Sequence, residues 1–293
     1  MLLVNQLITG IGIGAVLLLV ALGLSLTFGQ MGVINMAHGE FIMAGAYTVY
    51  CLQQVISSVG VSLFVAIPVA FAVAGLMGVI LEVTLIQRLY ARPLDTLLVT
   101  WGVSLILQQA ARSIFGAPNK QVDAPEWLTG SIDIGGASIA EKRLFILVLA
   151  VLVVLALSAA LKYTPLGRRI RAVVQNRNLA AVSGIPTATV DRLTFFIGSG
   201  LAGVAGVALT LLGPIGPNLG TVYIIDAFLV VVVGGIAQLK GAVITAFALG
   251  ILQAYIEFET AATSAKVIVF VLIVAFLQWR PQGLFTVRTR SLA

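Results

Sequence analysis

The chain is a succession of apolar runs, each about as long as a bilayer is thick, separated by short clusters of charged, glycine and proline residues. A hydrocarbon core takes about 20 apolar residues per helix. The punctuation leaves nine candidate spans, near 6–28, 41–58, 62–86, 94–113, 143–161, 193–212, 223–238, 241–258 and 264–279. Lipid offers backbone groups no hydrogen-bond partner, so each span has to be a helix. The expected fold class is therefore an all-α polytopic membrane protein, one transmembrane domain over residues 1–293. Composition agrees, with 10% charged residues where a soluble domain carries about 25%. The single cysteine, Cys51, excludes an internal disulfide framework and a thiolate metal site. The start, MLLVNQLITGIG, lacks the basic segment of a cleavable leader and reads as the beginning of a first span.

Basic residues set the orientation, because cytoplasmic loops retain Lys and Arg. Alternating the spans puts Arg88, Arg92, Lys162, Arg168, Arg169, Arg171, Arg177, Arg192, Lys240, Arg280, Arg288 and Arg290 on one side, and Arg112, Lys120, Lys142, Arg143 and Lys266 on the other. The first side is expected to be cytoplasmic. An odd number of spans then leaves the C-terminus inside and the N-terminus outside.

Within this apolar sequence, GQMGVINMAHGEFIMAGAY at 29–47 holds the only histidine, His38, beside Gly39 and Glu40. Such groups are expensive in lipid unless they sit in a break, a cavity or a pathway. Gly29, Gly32 and Gly39 give the backbone freedom to break there. Asn35, His38, Gly39 and Glu40 therefore read either as a pathway lining or as a short loop at the inner boundary, where span counting places 29–40. Asp226 stands near the outer start of a span, stabilised by the helix dipole or lining the pathway. Gln108 and Gln109 face either the pathway or a neighbouring helix. Small residues spaced by four in GSGLAGVAG, 198–206, point to close helix packing.

Two loops are long enough to carry function. The outer one, 114–142, with Pro118, Asp123, Pro125, Glu126 and Trp127, reads as a polar connector with an interfacial tryptophan or as a surface that receives a soluble partner. In the inner one, 162–192, Thr164 and Pro165 can start a short helix and Gly184 with Pro186 can end it. Basic residues are required there by orientation anyway. The stretch Asn178, Leu179, Ala180, Ala181 to Gly184 and Ile185 combines small and apolar residues in a way that suits docking.

No phosphate-binding G-x-x-x-x-G-K-[ST] run occurs, and GGIAQLKG at 234–241 lacks its spacing. Neither a Ser/His/Asp arrangement nor repeated metal-ligand spacing is present. The expectation is a chain that catalyses nothing, binds no cofactor or metal and no nucleic acid, and takes its energy from elsewhere.

GVINMAHGEFIMAGAY, TPLGRRIRAVVQNRNLAAVSGI, IIDAFLVVVVGGIAQLKGAV and RPQGLF, in that order over nearly the whole chain, resemble the membrane-spanning permease subunits of branched-chain amino acid and urea ABC importers. The wording of NMAHGEF and of RPLDTLLVTWGVSLILQQ at 92–109 resembles the urea permease more closely. This resemblance implies a type II-like importer fold with an interrupted helix near 29–41, in the bacterial inner membrane. It implies as partners a second homologous permease, two cytoplasmic ATPase subunits holding ATP and Mg, and an extracytoplasmic solute-binding protein. It also implies that Asn178 to Ile185 form the helix that couples to the ATPase, although the glutamate that usually precedes the paired alanines is missing here. The implied solute is urea, with a branched-chain amino acid or short amide as alternative. Urea offers mainly N–H donors, so its lining has to be rich in acceptors. Two other classes stay open. A stand-alone channel or secondary transporter leaves the 178–185 stretch without a purpose, and a scaffold without a pathway leaves the Asn35–Glu40 break unexplained.

Overall fold

A computed structural model describes residues 2–285 apart from 91, 135, 136 and 237. Each expected span corresponds to a helix, although 41–58, 62–86, 193–212 and 223–238 run a few residues past theirs: α1 (Leu2–Met31), α2 (His38–Val55), α3 (Val59–Thr84), α4 (Pro93–Phe115) and α5 (Glu141–Tyr163) precede the inner loop. Two shorter helices follow, α6 (Pro165–Gln175) and α7 (Arg177–Val182), then α8 (Thr187–Thr210), α9 (Leu219–Gly234), α10 (Leu239–Glu259) and α11 (Ala262–Trp279). By length and composition α1, α3, α5, α8 and α10 can each cross a membrane, and α9 and α11 are shorter apolar helices. The polar residues of α2 and α4 make those two dependent on their neighbours. Arg288 and Arg290 lie outside the described residues.

Helices in lipid associate through close packing rather than water release, so small residues decide which faces meet. α8 sits at the centre against α1, α2 and α3. Its Gly203 backbone lies on Gly45, and Gly206 lies on the Ile42 carbonyl, leaving no space for a Cβ at either contact. The other side of α2 meets α9, where a Cβ at Gly39 would stand 2.6 Å from the Gly220 carbonyl oxygen. Gly10 packs on Ile251 and Gly14 on Phe247, so α1 and α10 run antiparallel. One face of the bundle carries α6, α7 and most of the basic residues.

The opposite face is more ordered than a plain connector. Lys120 bridges Ile215 through paired backbone hydrogen bonds of 2.8 and 2.9 Å. Strands β1 (Ser131–Ile134) and β2 (Ala137–Ala140) form an antiparallel hairpin. Trp127 stacks on Phe64 at 5.9 Å and meets Phe145 edge-on at 5.7 Å.

The break begins where span counting puts 29–40, at an exposed Gly32 near the inner-loop residues, but the segment that follows leaves that boundary. Gly32 takes a φ of +63°, and its N–H bonds the Phe28 carbonyl at 2.9 Å, ending α1. The chain then turns back, so that the His38 ring lies beside Gly23. Eight residues along α1 correspond to about 12 Å at 1.5 Å per residue. α2 therefore starts inside the bundle.

Candidate functional site

The non-helical stretch 32–37 leads from the bundle's edge into its interior, and Thr100 of α4 meets two of its backbone groups. The Thr100 Oγ1 accepts from Met36 N at 3.1 Å and lies 3.3 Å from the Ile34 carbonyl. Asn35 folds its side chain onto its own segment, Oδ1 accepting from Ala37 N at 3.0 Å, while its carbonyl accepts from His38 N at 3.3 Å. Asn35 thus shapes the start of α2. Unpaired backbone groups would otherwise cost several kcal/mol each in such a place.

One turn further, Glu40 is 1% exposed. Its Oε1 accepts from Ser104 Oγ at 2.8 Å and Gln108 Nε2 at 2.9 Å, and the same Gln108 amide lies 3.0 Å from Thr221 Oγ1 on α9. Glu40 Oε2, Asn35 Nδ2 and both His38 ring nitrogens have no hydrogen-bond partner among the described residues. The Val20 carbonyl lies beside the ring, outside ordinary hydrogen-bond geometry. Buried polar groups are normally satisfied. This cluster consequently has spare donors and acceptors for a polar guest, and Gly39 lets α9 close on it.

Of the candidates, the structure joins Asn35, His38, Gly39, Glu40 and Gln108 around the break, but it separates Asp226. That residue is the eighth of α9, not a capping residue at its start, and it lies 3.4 Å from Lys266 of α11. Gln109 is on the exposed side of α4, where it accepts a 3.5 Å bond from Arg112. Sequence reasoning passed over Thr100, Ser104 and Thr221. A signal for the first two existed: Thr96, Thr100, Ser104 and Gln108 recur every four residues, which is one face of a helix.

The inner loop departs from expectation in two respects. Thr164 and Pro165 do start a helix, with Thr164 Oγ1 accepting from Gly167 N at 3.2 Å. That helix ends at Gln175, however, and Asn176 caps a second one by accepting from Leu179 N at 2.9 Å. A free side chain that caps the next N–H splits one expected helix into α6 and α7. α7 ends in a Schellman motif, with Ile185 N on the Ala180 carbonyl and Gly184 N on the Ala181 carbonyl, both 3.0 Å, and Gly184 at φ +81°. Ala180 is buried with Ile170, Val173 and Val190, and Ile185 packs beside them. The outward side includes Asn178, Leu179, Ala181, Val182 and Gly184, so Ala180, expected to face outward, lies on the buried side of α7 while Val182 is exposed.

α7 is anchored by charge. Arg177 pairs with the buried Asp191 of α8 and lies 4.7 Å over the Tyr90 ring. Tyr90 donates to Glu82 at 2.9 Å, Arg192 Nε lies 3.8 Å from Glu82, and Gln30 near the end of α1 donates to Asp191 at 3.4 Å. Burial pushes the Tyr90 phenol up, reinforced by the charges of Asp191 and Glu82, so it remains a donor. Burial alone would lower Arg177, but its bond to Asp191 and the negative charges of Asp191 and Glu82 together outweigh this and raise it. One network thus joins α7 to the ends of α1 and α3.

A bundle of membrane-length helices folded around a broken, polar helix start defines a membrane permease. A profile described as branched-chain amino acid transport system / permease component matches residues 6–277. The high-affinity branched-chain amino acid transport system permease protein LivH of Salmonella typhimurium is 31% identical over 299 residues, covering 96% of this chain and 94% of that protein. The high-affinity permease protein BraD of Pseudomonas aeruginosa is 29% identical, covering 96% and 94%, and a probable LivH of Methanocaldococcus jannaschii is 26% identical, covering 94% and 90%. No solved structure matches. The chain belongs to the family of branched-chain amino acid transport permease components, and it is a transport subunit rather than an enzyme.

Proposed function

We propose that this chain is one of two permease subunits of an ABC importer in the bacterial inner membrane, and that the importer carries branched-chain amino acids inward. The LivH and BraD relatives, matched over 94% of their length, support the solute class. The observation that carries the pathway reading is the buried cluster of Asn35, His38, Glu40, Ser104 and Gln108 at a helix start inside the bundle, with unpaired polar atoms. Interrupted helices of this kind bind solute where irregular backbone lines a cavity.

The basic face is the cytoplasmic one. Removing Arg288 and Arg290 from its twelve basic residues still leaves ten among the described residues, against five. On that face α7, with exposed Leu179 and Val182, seats in an ATPase subunit, and an extracytoplasmic binding protein delivers solute to the other. ATP-driven closure of the ATPase pair moves α7, the Arg177 network passes the movement to α1 and α3, and the break changes the side to which it opens. The exposed apolar side chains on α7 favour this reading over a channel that works alone.

Urea is a second reading. It is supported by the wording of NMAHGEF and by the acceptor-rich surroundings of Glu40, which suit a solute with many N–H donors. Replacing His38 and Glu40 together by Ala and Gln is expected to abolish ATP-dependent uptake by the assembled importer. Unchanged uptake with assembly intact would overturn the pathway assignment.

A further inference from the structure

Asp226, which the break leaves out, belongs to a second polar assembly. A cavity of about 320 Å³ opens between α1, α5, α9, α10 and α11 toward the face opposite α7. This volume is near the lower end of the range of about 300–1,000 Å³ for small-molecule sites. One wall is apolar, formed by Ile13, Val16 and Leu17 of α1. The rim holds four charged groups. Asp226 and Lys266 neutralise each other at 3.4 Å. The other two do not pair: Arg143 donates only to the Thr9 hydroxyl at 3.2 Å, and Glu257 accepts from the Gln253 amide at 2.7 Å. Among the described residues neither has an ion-pair partner, although both are half-buried and line the same cavity. Gly12 lies under the Arg143 stem, where an added Cβ would press on Cδ at 3.2 Å.

An unpaired cation and an unpaired carboxylate facing one cavity with an aliphatic wall complement a molecule that carries both charges and an aliphatic side chain. We infer that this cavity is a solute site for a zwitterionic aliphatic amino acid, Arg143 taking its carboxylate and Glu257 its ammonium group. The inference rests on the amino acid reading above. A neighbouring cavity of about 300 Å³ shares Asp226, Gln253 and Lys266 with the first and reaches Thr221. Thr221 in turn lies 3.0 Å from the Gln108 amide. The two cavities thus adjoin at the Asp226–Lys266 pair, and the second touches the Glu40 cluster through Thr221.

The test uses the importer assembled with its second permease, ATPases and binding protein in phosphatidylglycerol vesicles, irradiated with a diazirine analogue of leucine. Adducts are expected on the segment 13–17 and to be displaced by excess leucine. Leucinamide lacks the carboxylate and 4-methylpentanoate lacks the ammonium group; each loses one charge-assisted contact and is expected to compete about tenfold less well. Arg143→Gln should remove the advantage of leucine over leucinamide only, and Glu257→Gln its advantage over 4-methylpentanoate only. Should either variant fail to assemble, the ranking of competitors on the unaltered importer decides. Leucine uptake without displaceable adducts at 13–17 overturns the site alone, as does equal competition by all three compounds. Loss of the adducts when phosphatidylethanolamine, whose headgroup is also zwitterionic, is added assigns the cavity to lipid and overturns the site as well. Absence of leucine uptake by the unaltered importer overturns the amino acid reading and the site with it.

Discussion

Arg177→Ala tests whether α7 transmits force through its anchor. Six residues cannot hold a helix on their own, since nucleation is unfavourable and few bonds follow it. α7 therefore depends on its Asn176 cap, its Schellman end and the Arg177–Asp191 pair. Removing one partner of a fully buried pair costs about 3–5 kcal/mol. Here the Asp191 side chain is 0% exposed but that of Arg177 is 41% exposed, so water screens one end and the cost falls to about 1–3 kcal/mol. The stacking on Tyr90 adds about 0.5–1 kcal/mol. A loss of about 2 kcal/mol raises the population with α7 undocked by up to about 30-fold. The assay is solute carried per ATP hydrolysed by the reconstituted importer, with tryptic cleavage in the 162–192 loop reporting the undocked population. Transport per ATP is expected to fall and cleavage to accelerate. Adding Asp191→Asn to Arg177→Ala should recover part of the cleavage resistance, because the unpaired buried charge is then gone. Unchanged coupling, or a double variant worse than the single one, would refute the reasoning.

Three further outcomes follow from the same geometry. Thr100→Val strands Met36 N at a cost of about 1–3 kcal/mol; it should lower the melting temperature of the purified chain by roughly 2–4 °C per kcal/mol, whereas Thr100→Ser should not. Gly184→Val places a branched side chain at φ +81°, costing about 1–3 kcal/mol; transport per ATP should drop, with Gly184→Asn milder. Leu179→Ser with Val182→Ser alters side chains on residues 62% and 82% exposed, so the melting temperature of the chain should stay put while co-purification of the ATPase subunits declines.

The spans were legible because lipid imposes a length and an apolar composition on each helix, and each of the nine expected segments overlaps one of α1–α5 and α8–α11 over most of its length. The break was legible for the same reason, since Gly32, His38 and Glu40 violate that composition together. Its depth was not, because counting spans assumes that a helix ends at the membrane edge, whereas Gly32 turns the chain back beside Gly23. Partners distant in sequence were also hidden. Nothing local links Glu40 to Ser104 and Gln108, Arg177 to Asp191, or Asp226 to Lys266; those pairings depend on how the helices come together. Ala180 was assigned outward because small residues suit docking, but in α7 they also suit the buried side, and the exposed Leu179 and Val182 show which side is which.

Radiolabelled leucine and urea uptake by vesicles containing this chain with its second permease, ATPases and binding protein, with and without ATP, addresses the central claim most directly. The account predicts leucine uptake that requires ATP and is not reduced by excess urea. ATP-dependent urea uptake that ignores leucine would move the chain to the second reading, and flux of either solute through the chain without ATP would contradict the importer account.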